Sequence, residues 1–540
     1  MLKTSPISQA YSDIRQLVAR IANGMVSDKR YSMADLMKTL MGDAQWADRQ
    51  AMVDHVQQLM DYYSGYQTEY LVNALSEKYV DKHPLLLEKT TYNVVRRGIK
   101  TVSNIYDAQP ERKLVTPEGK ELDGNDPQYK ALAWLLNELQ YDSVLQKVNQ
   151  YVNLVGTCVV RPAYIPRHGR WIMDTFTYKD LHVVPTPELP SEAEAIAYCI
   201  NPHEISMPDT DASKSSQEVL HWWTKDSFAV VEGSEGFILS TDTNRESVNP
   251  YGVLPFVKFT AETTGAHYFA TPGKELIHIQ DDINIALTNW NYVLKMQGFS
   301  IPVVIGNIAN KDNKVSISPG KPLTIRSGMK DEQAPSFNWA TPSPNLEGYK
   351  NYVSYRLEQL AYYLFTNRNQ LTGTSQPASG YSLKLQNWEL MNQRNKQVAL
   401  YEYNEQRLFK VLKVMWNAHQ QAGDLPQDCP YRNVRFKDNI QLQVNIPSIE
   451  YPESPQETLA RWTQLIERKM KTPVDFLTEV QGLEKSEAEK QFKTTQDWFS
   501  QNGEKFEPSK FGEMPKNAEK AEEMPDKLTD KQEEEYVEQT

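Results

Sequence analysis

The fold of this chain is decided by residues 271–298, which read TPGKELIHIQDDINIALTNWNYVLKMQG. Thr271 is a candidate N-cap, and Pro272 suits the first helical position because its missing N–H is not needed there. Gly298 is a typical residue at a helix C-terminus. Apolar residues recur in steps of three and four, as on one stripe of an α-helix: Leu276, Ile279, Ile283, Leu287, Trp290 and Leu294. The pattern predicts a helix over residues 272–297.

A small β module and a second helix follow. Residues 301–306 and 323–325 are short β-type runs, with a turn signal at residues 318–320. The second helix has one apolar face, formed by Leu346, Tyr349, Val353, Leu357, Leu360 and Leu364. Its near-heptad spacing is typical of helices packed side by side. Two helices that bracket a β module predict either a stalk with a knob at its tip or an ordinary helical hairpin in a core.

The remaining periodicity predicts an α+β chain. Helices are predicted for most of residues 5–80, for 85–106, 127–155, 381–421 and 484–500, and from residues 455 and 472 onward. Strands are predicted for 158–161 and 171–176 around a turn at 167–170, and for 195–200, 219–224, 228–231, 237–239 and 253–259. Residues 434–436 and 440–446 are predicted to form a β-hairpin. The acidic segment from residue 508, poor in aromatic residues, is predicted to be disordered.

Composition narrows the class of protein. The net charge of −12 argues against a non-specific nucleic-acid binder. Three cysteines among 540 residues cannot form a disulfide framework, which favours a reducing compartment. The first residues hold no apolar signal core, and no run of apolar residues is long enough to span a membrane.

The sequence shows no catalytic or cofactor motif. It lacks the phosphate-binding and dinucleotide-binding glycine patterns, HExxH and CxxC, and Ser379 lacks the GxSxG elbow of a serine nucleophile. His278, Asp281 and Asp282 could form a metal site only with further ligands, and a polar helix face is the simpler interpretation. We therefore expect no enzymatic activity and no cofactor.

A basic cluster marks the insertion between the two helices. Its members are Lys311, Lys314, Lys321, Arg326 and Lys330, opposed by Asp312, Asp331 and Glu332. Two interpretations are open: a solvated knob, or a docking surface for an acidic partner or for the rim of a nucleic acid.

Three stretches, in this order, resemble the portal proteins of tailed bacteriophages. The first is YYSGYQ at 62–67. The second is LPFVKF at 254–259, followed by ELIHIQDDIN at 275–284 at the start of the long helix. The third is ASGYSLK at 378–384, which opens another long helix containing Leu390. The long helical N-terminal part, and the lack of a long helical barrel after Ser500, depart from that family.

The resemblance implies a portal-like α+β subunit of a ring, typically twelve-fold, at one capsid vertex. Its parts would be the wing (1–269, helical and then β-rich), stem helix 1 (270–298), an α/β clip (299–345), stem helix 2 (346–366), the tunnel loop (367–380), a long helix with a wing hairpin (381–452), the helical crown (453–507) and a disordered acidic tail (508–540). The clip, with its basic cluster, would dock partners.

The resemblance also implies what such a ring works with. Double-stranded DNA passes through it without sequence recognition during packaging and ejection. The partners would be the terminase large subunit, head-completion (adaptor) and tail proteins, and the major capsid and scaffolding proteins. The ring would assemble in the cytoplasm of the bacterial host and remain in the virion, with no role for a membrane. Two alternatives stay open: another virion or scaffold protein without a channel, and a metal-dependent nuclease that uses His278, Asp281 and Asp282.

The tunnel loop carries the most specific expectation. We expect it to line the narrowest part of the channel and to contact DNA through Arg368, Asn369, Gln370, Thr372, Gly373, Thr374, Ser375 and Gln376. Its glycines permit unusual backbone conformations, and its neutral polar groups offer hydrogen bonds. Arg368 is its only full charge, so a ring of subunits would place a ring of positive charge near the phosphates.

Overall fold

The computed structural model describes residues 43–78, 88–200, 217–234, 245–265, 267–297, 301–305, 336–340, 346–372, 384–449 and 455–502. The helices are α1 (Asp43–Ser64), α2 (Thr68–Lys78), α3 (Val94–Val102), α4 (Pro127–Glu138), α5 (Tyr141–Val155), α6 (Glu275–Gln297), α7 (Leu346–Tyr363), α8 (Arg368–Thr372), α9 (Trp388–Ala422), α10 (Pro455–Glu467), α11 (Pro473–Glu479) and α12 (Lys485–Asn502). The strands are β1 (Glu111–Val115), β2 (Thr157–Ile165), β3 (Arg170–Phe176), β4 (His182–Pro185), β5 (Ala193–Ile200), β6 (Gln217–Thr224), β7 (Ser227–Ser234), β8 (Arg245–Val248), β9 (Val257–Thr260), β10 (Ile301–Ile305), β11 (Ser336–Ala340) and β12 (Gln441–Asn445).

The strands form small antiparallel sheets, so the described chain is α+β as expected. One sheet has the order β4-β5-β6-β7-β8 and another the order β3-β2-β9. The hairpin predicted around residues 167–170 is confirmed, with Ile165 opposite Arg170. The hairpin predicted for 434–446 is wrong, because β12 pairs with β1 from a distant part of the chain.

Several predicted helices differ in their bounds. The helix predicted for 127–155 is two helices, because Gln140 adopts a left-handed conformation (φ 47°) between α4 and α5. The helix predicted for 85–106 is reduced to α3, and Glu111–Val115 is a strand that periodicity did not indicate. The helix predicted for 272–297 begins at Glu275. The helix predicted for 381–421 corresponds to α9, which begins at Trp388. The strands predicted at 237–239 and 323–325 lie outside the described residues.

Two apolar clusters hold the larger part of the chain together. The first surrounds α9, where Trp416 is fully buried and donates its indole N–H to the Val434 carbonyl at 2.8 Å. The second joins α6 and α7 to the N-terminal helices, with members such as Leu59, Ile99 and Ile283 fully buried. The functional site described below is built on this second cluster.

The described residues 455–502 belong to a compact unit separate from the rest of the described chain. Its described part consists of α10, α11 and α12. The helix starts predicted from the two prolines are confirmed at Pro455 and Pro473. Thr472 caps α11 in a capping box with Asp475, and the rings of Trp462 and Phe476 meet at 5.4 Å. No helix in the described ranges has the length and apolarity needed to cross a membrane.

Candidate functional site: the two-helix stem and its base

Helices α6 and α7 pack antiparallel, and we call this pair the stem. Asp282 forms an ion pair with Arg356 across the two helices. The apolar face of α6 meets that of α7 in one cluster, to which Leu276, Ile283 and Leu360 belong. The parts of the two predicted stripes that lie in this cluster are Leu276, Ile279, Ile283 and Leu287 of the first and Val353, Leu357, Leu360 and Leu364 of the second. The prediction is wrong for Leu294, which is exposed.

The segment between the stem helices begins with β10 and ends with β11, and these two strands pair with each other. β10 starts four residues after α6 and pairs antiparallel with β11, from Ile301 opposite Ala340 to Ile305 opposite Ser336. Periodicity missed β11, because residues 335–344 are rich in proline. The basic cluster Lys311, Lys314, Lys321, Arg326 and Lys330 lies outside the described residues.

A line of polar side chains runs along α6, and we call it the polar ladder: Gln280, Asn284 and Thr288, which are buried, and Asn291, which is partly buried. Gln280 is fully buried. Its side-chain oxygen accepts hydrogen bonds from the backbone N–H groups of Val94 (3.0 Å) and Val95 (3.2 Å), and its side-chain nitrogen donates to the Tyr92 carbonyl (2.7 Å). The first N–H groups of a helix have no partner within that helix. Gln280 of α6 thus completes the N-terminus of α3.

Asn284 lies one turn further along α6 and connects the ladder to Gln67, directly before α2. Its oxygen accepts from the backbone N–H of Tyr92 at 3.1 Å, and its nitrogen donates to the side-chain oxygen of Gln67 at 2.8 Å. Gln67 is 1% exposed and in turn donates to the Tyr62 carbonyl at 3.0 Å. Every side-chain nitrogen and oxygen named here is satisfied, as buried amides require.

The ladder continues towards the insertion end of the stem. The Thr288 hydroxyl accepts from the backbone N–H of Thr90 at 3.1 Å, and Asn291 donates to the hydroxyl of Thr90 at 2.6 Å. Residues 280, 284, 288 and 291 lie on one stripe of a helix. Residues 90–95 are therefore fastened along α6 by side chains rather than by a sheet.

Two of the three stretches that carry the portal resemblance meet here. Tyr62 is fully buried and donates its phenolic hydrogen to Asp281. Burial, followed by that hydrogen bond, raises the pKa of Tyr62. With the bond between Asn284 and Gln67, this contact joins residues 62–67 to residues 280–284. The third stretch, residues 378–384, lies mostly outside the described residues.

These contacts occupy the carboxylates of the alternative metal site. Asp281 accepts from Tyr62, Asp282 pairs with Arg356, and His278 is exposed. Within the described ranges, no group of three or more His, Cys, Asp or Glu residues could hold a metal ion.

The stem ends in an unusual turn at Phe365. Its φ of 53° lies in the left-handed region, which bulky residues rarely adopt. The Thr366 N–H donates to the Ala361 carbonyl at 2.9 Å, the wrapped hydrogen bond of a Schellman helix end. Phe365 takes the position where glycine is usual.

The predicted tunnel loop begins with a helix, which corrects the prediction of a loop over 367–380. The Asn367 side chain accepts from the Gln370 N–H at 3.1 Å and so caps α8. Leu371 is buried beneath the helix. The Thr372 hydroxyl donates to the Arg368 carbonyl at 3.2 Å, and Asn369 is exposed. Gly373, Thr374, Ser375 and Gln376 lie outside the described residues.

Arg368 is less available for contact with DNA than the sequence suggests, because its side chain is already paired. Its guanidinium pairs with Glu358 of α7 at 3.0 Å and donates to the Ser354 hydroxyl at 3.0 Å. Glu358 lies ten residues earlier, across the turn at Phe365, which explains why helical spacing did not reveal the pair. On the other side of α8, the Gln370 carbonyl accepts from Arg97 of α3 at 3.2 Å.

No protein-family model matches the chain, and no curated protein matches it. Among solved structures, one similar chain belongs to "Virion of native gene transfer agent (GTA) particle", at 13% identity, a TM-score of 0.34 and coverage of 72% of this chain and 90% of that one. A second belongs to "Neck of empty GTA particle computed with C6 symmetry", at 11% identity, a TM-score of 0.35 and coverage of 73% and 90%. At these TM-scores neither similarity establishes a shared fold.

Proposed function

We propose that this chain is a portal protein, a non-enzymatic subunit of a twelve-membered ring at one vertex of a phage-like capsid. The observation that carries the proposal is the buried contact between the stretches at 62–67 and 275–284. The residues that resemble portal proteins are the ones that fasten the stem to the N-terminal helices.

The order of elements supports the same assignment. A stem of two antiparallel helices brackets a strand pair, and α8 and α9 follow its second helix. In a portal protein, α6 and α7 would be the stem, β10 and β11 part of the clip, and residues from 367 the tunnel loop. Residues 1–269, with the β12 region, would form the wing, and α10 to α12 the crown.

The proposed role is that of a conduit and a docking platform. Double-stranded DNA would pass through the ring during packaging and ejection, contacted without sequence recognition by the loop after α8. The basic cluster of the clip would dock the terminase large subunit and later the adaptor and tail proteins. Capsid and scaffolding proteins would surround the ring, which would be assembled in the host cytoplasm and retained in the virion.

The decisive experiment measures assembly. Native mass spectrometry and negative-stain microscopy of the purified chain should show closed rings with a central channel. A chain that stays monomeric across protein and salt concentrations, and does not form rings with capsid or scaffolding protein present, would refute the proposal. Closed particles without a channel would favour the alternative of a virion or scaffold protein.

A further inference from the structure

Helix α3 displays an uncompensated row of positive charge, which we call the basic ridge: Arg96, Arg97 and Lys100. All three side chains are exposed. Residues 89–106 contain no Asp or Glu, in a chain whose net charge is −12. No described carboxylate forms an ion pair with any of the three.

Repulsion between the three positive charges of the ridge destabilises α3 in the isolated chain. Arg96 and Lys100 are four residues apart and Arg97 and Lys100 are three apart, so they share one helix face. Like charges at these spacings destabilise a helix by a few tenths of a kcal/mol. An external anion offsets that repulsion, and a polyanion does so for all three at once.

The scaffold beneath the ridge is fixed. The polar ladder holds residues 90–95, and Asn93 caps α3 by accepting from the Arg96 N–H at 2.9 Å. Gly98, on the opposite face, lies so close to Leu364 that a Cβ there would collide with that side chain. The backbone that carries the cations is therefore ordered before any partner binds, which reduces the entropy cost of binding.

The position of the ridge suggests its partner. Arg97 contacts the Gln370 carbonyl at 3.2 Å, so the ridge adjoins α8, where the proposed DNA-contacting loop begins. Arg368, the only charge in that loop, is already paired with Glu358. Among the described residues, α3 therefore places cations without an ion-pair partner beside the start of the loop, whereas the loop's own arginine is paired.

We propose that the basic ridge contacts the phosphate backbone of double-stranded DNA at the base of the stem. The inference rests on the proposed function, because it takes DNA to pass this part of the ring. Arginine and lysine bind phosphate without reading bases. Three cations per subunit would position DNA while screening by salt keeps each contact weak and reversible.

The test is the salt dependence of DNA binding by the full-length assembly. Binding of a mixed-sequence duplex is measured by fluorescence anisotropy over a series of salt concentrations. The logarithm of the affinity falls with the logarithm of the salt concentration, with a slope of about 0.9 for each phosphate contact. The variant with Arg96→Gln, Arg97→Gln and Lys100→Gln should show a slope smaller by about 1 to 3.

Two further variants separate charge from structure. Arg96→Lys with Arg97→Lys keeps the charge and should keep the slope. Lys130→Gln, Arg167→Gln and Arg170→Gln remove three exposed cations from α4, the β2–β3 turn and the start of β3, and should also leave the slope unchanged.

The outcomes are distinct. An unchanged slope in the ridge variant overturns the proposal, as does failure of that variant alone to form rings, since the ridge would then be a contact between subunits. Loss of binding to an acidic partner protein with normal DNA binding also overturns it. Absence of rings in the unaltered protein refutes the proposed function instead, whatever the slope.

Discussion

Asn284 donates a hydrogen bond to Gln67 at 2.8 Å, although the two residues are 217 positions apart in the sequence. Both side chains are almost completely buried. The bond lies in a polar network that joins the start of α2, the N-terminus of α3 and the middle of α6. Because each member of such a network depends on the others for its partners, the loss of one member leaves several groups unsatisfied.

Replacing Gln280 should therefore destabilise the stem. Gln280→Ala removes the acceptor of the Val94 and Val95 N–H groups, and each buried donor left without a partner costs about 1–3 kcal/mol. We expect a lower midpoint of thermal unfolding and faster amide hydrogen exchange in residues 90–99. The matched control is Gln50→Ala, whose bond to Asp54 lies at the surface. Equal exchange rates in the variant and the unaltered protein would contradict this role of Gln280.

The sequence predicted the stem because its signal is local. Apolar residues at helical spacing identify α6 and α7 and the faces they bury, whatever lies elsewhere. The partners of Gln280 could not be predicted, because Val94 lies 186 residues away and nothing in the local pattern refers to it. Gln280 and Asn284 lie in the stretch that resembles portal proteins, but the sequence did not indicate which groups they bind.

The errors share that cause. β12 was predicted to pair with its neighbour in sequence, but its partner β1 lies more than 300 residues earlier in the chain. The break at Gln140 uses a left-handed residue that is not glycine, so no glycine or proline marked it. Sites built from distant segments need the fold before they can be recognised.

A buried ion pair lies in the core around α9. Glu405 is fully buried and accepts from Arg112 at 2.7 Å and from the Tyr106 hydroxyl at 2.8 Å. Glu405→Leu leaves the Arg112 guanidinium with only Asp142 as a counter-charge. Breaking a buried pair costs about 3–5 kcal/mol, and we expect the low end because Asp142 remains.

The measurement for this ion pair is the urea midpoint followed by far-ultraviolet circular dichroism. Lys113→Gln is the control, since its ion pairs with Glu111 and Glu121 are exposed and such pairs contribute about 0–1 kcal/mol. If both variants shift the midpoint equally, Glu405 has no special role in the core.

Two partly buried histidines, His182 and His221, predict a loss of stability in mild acid. Burial, followed by the charge of a nearby arginine, lowers the pKa of His221 to about 4 and that of His182 to about 3, from 6.5. Below pH 6.5 the unfolded chain binds protons that the folded chain does not. Folding stability is therefore complete above pH 6.5 and falls as the pH drops towards 4.

His221→Phe isolates this contribution. The His221 ring stacks on Tyr198 at 4.8 Å, and phenylalanine preserves the stacking without titrating. Between pH 7 and pH 5 the variant should lose less stability than the unaltered protein, by up to about 2 kcal/mol, since one pKa unit corresponds to about 1.4 kcal/mol. Urea unfolding at several pH values tests this, with the exposed His168→Gln as control. Identical pH profiles of the unaltered protein and His221→Phe would show that His221 is protonated in the folded state.

Gly98 should resist the substitution that usually strengthens a helix. Alanine is better than glycine inside a helix by about 1 kcal/mol. At Gly98, however, a Cβ would collide with the side chain of Leu364, which is 7% exposed and packed in the same cluster as Ile99 and Leu360. Overpacking costs about 1–3 kcal/mol, so Gly98→Ala should lower the free energy of unfolding. In a Leu364→Ala background the collision is gone, and the same change should become neutral or stabilising by up to about 1 kcal/mol.

A double-mutant cycle from urea unfolding measures this reversal of sign. If Gly98→Ala stabilises the otherwise unaltered protein, α3 is not held against the end of α7 as closely as described, and the basic ridge loses its fixed support.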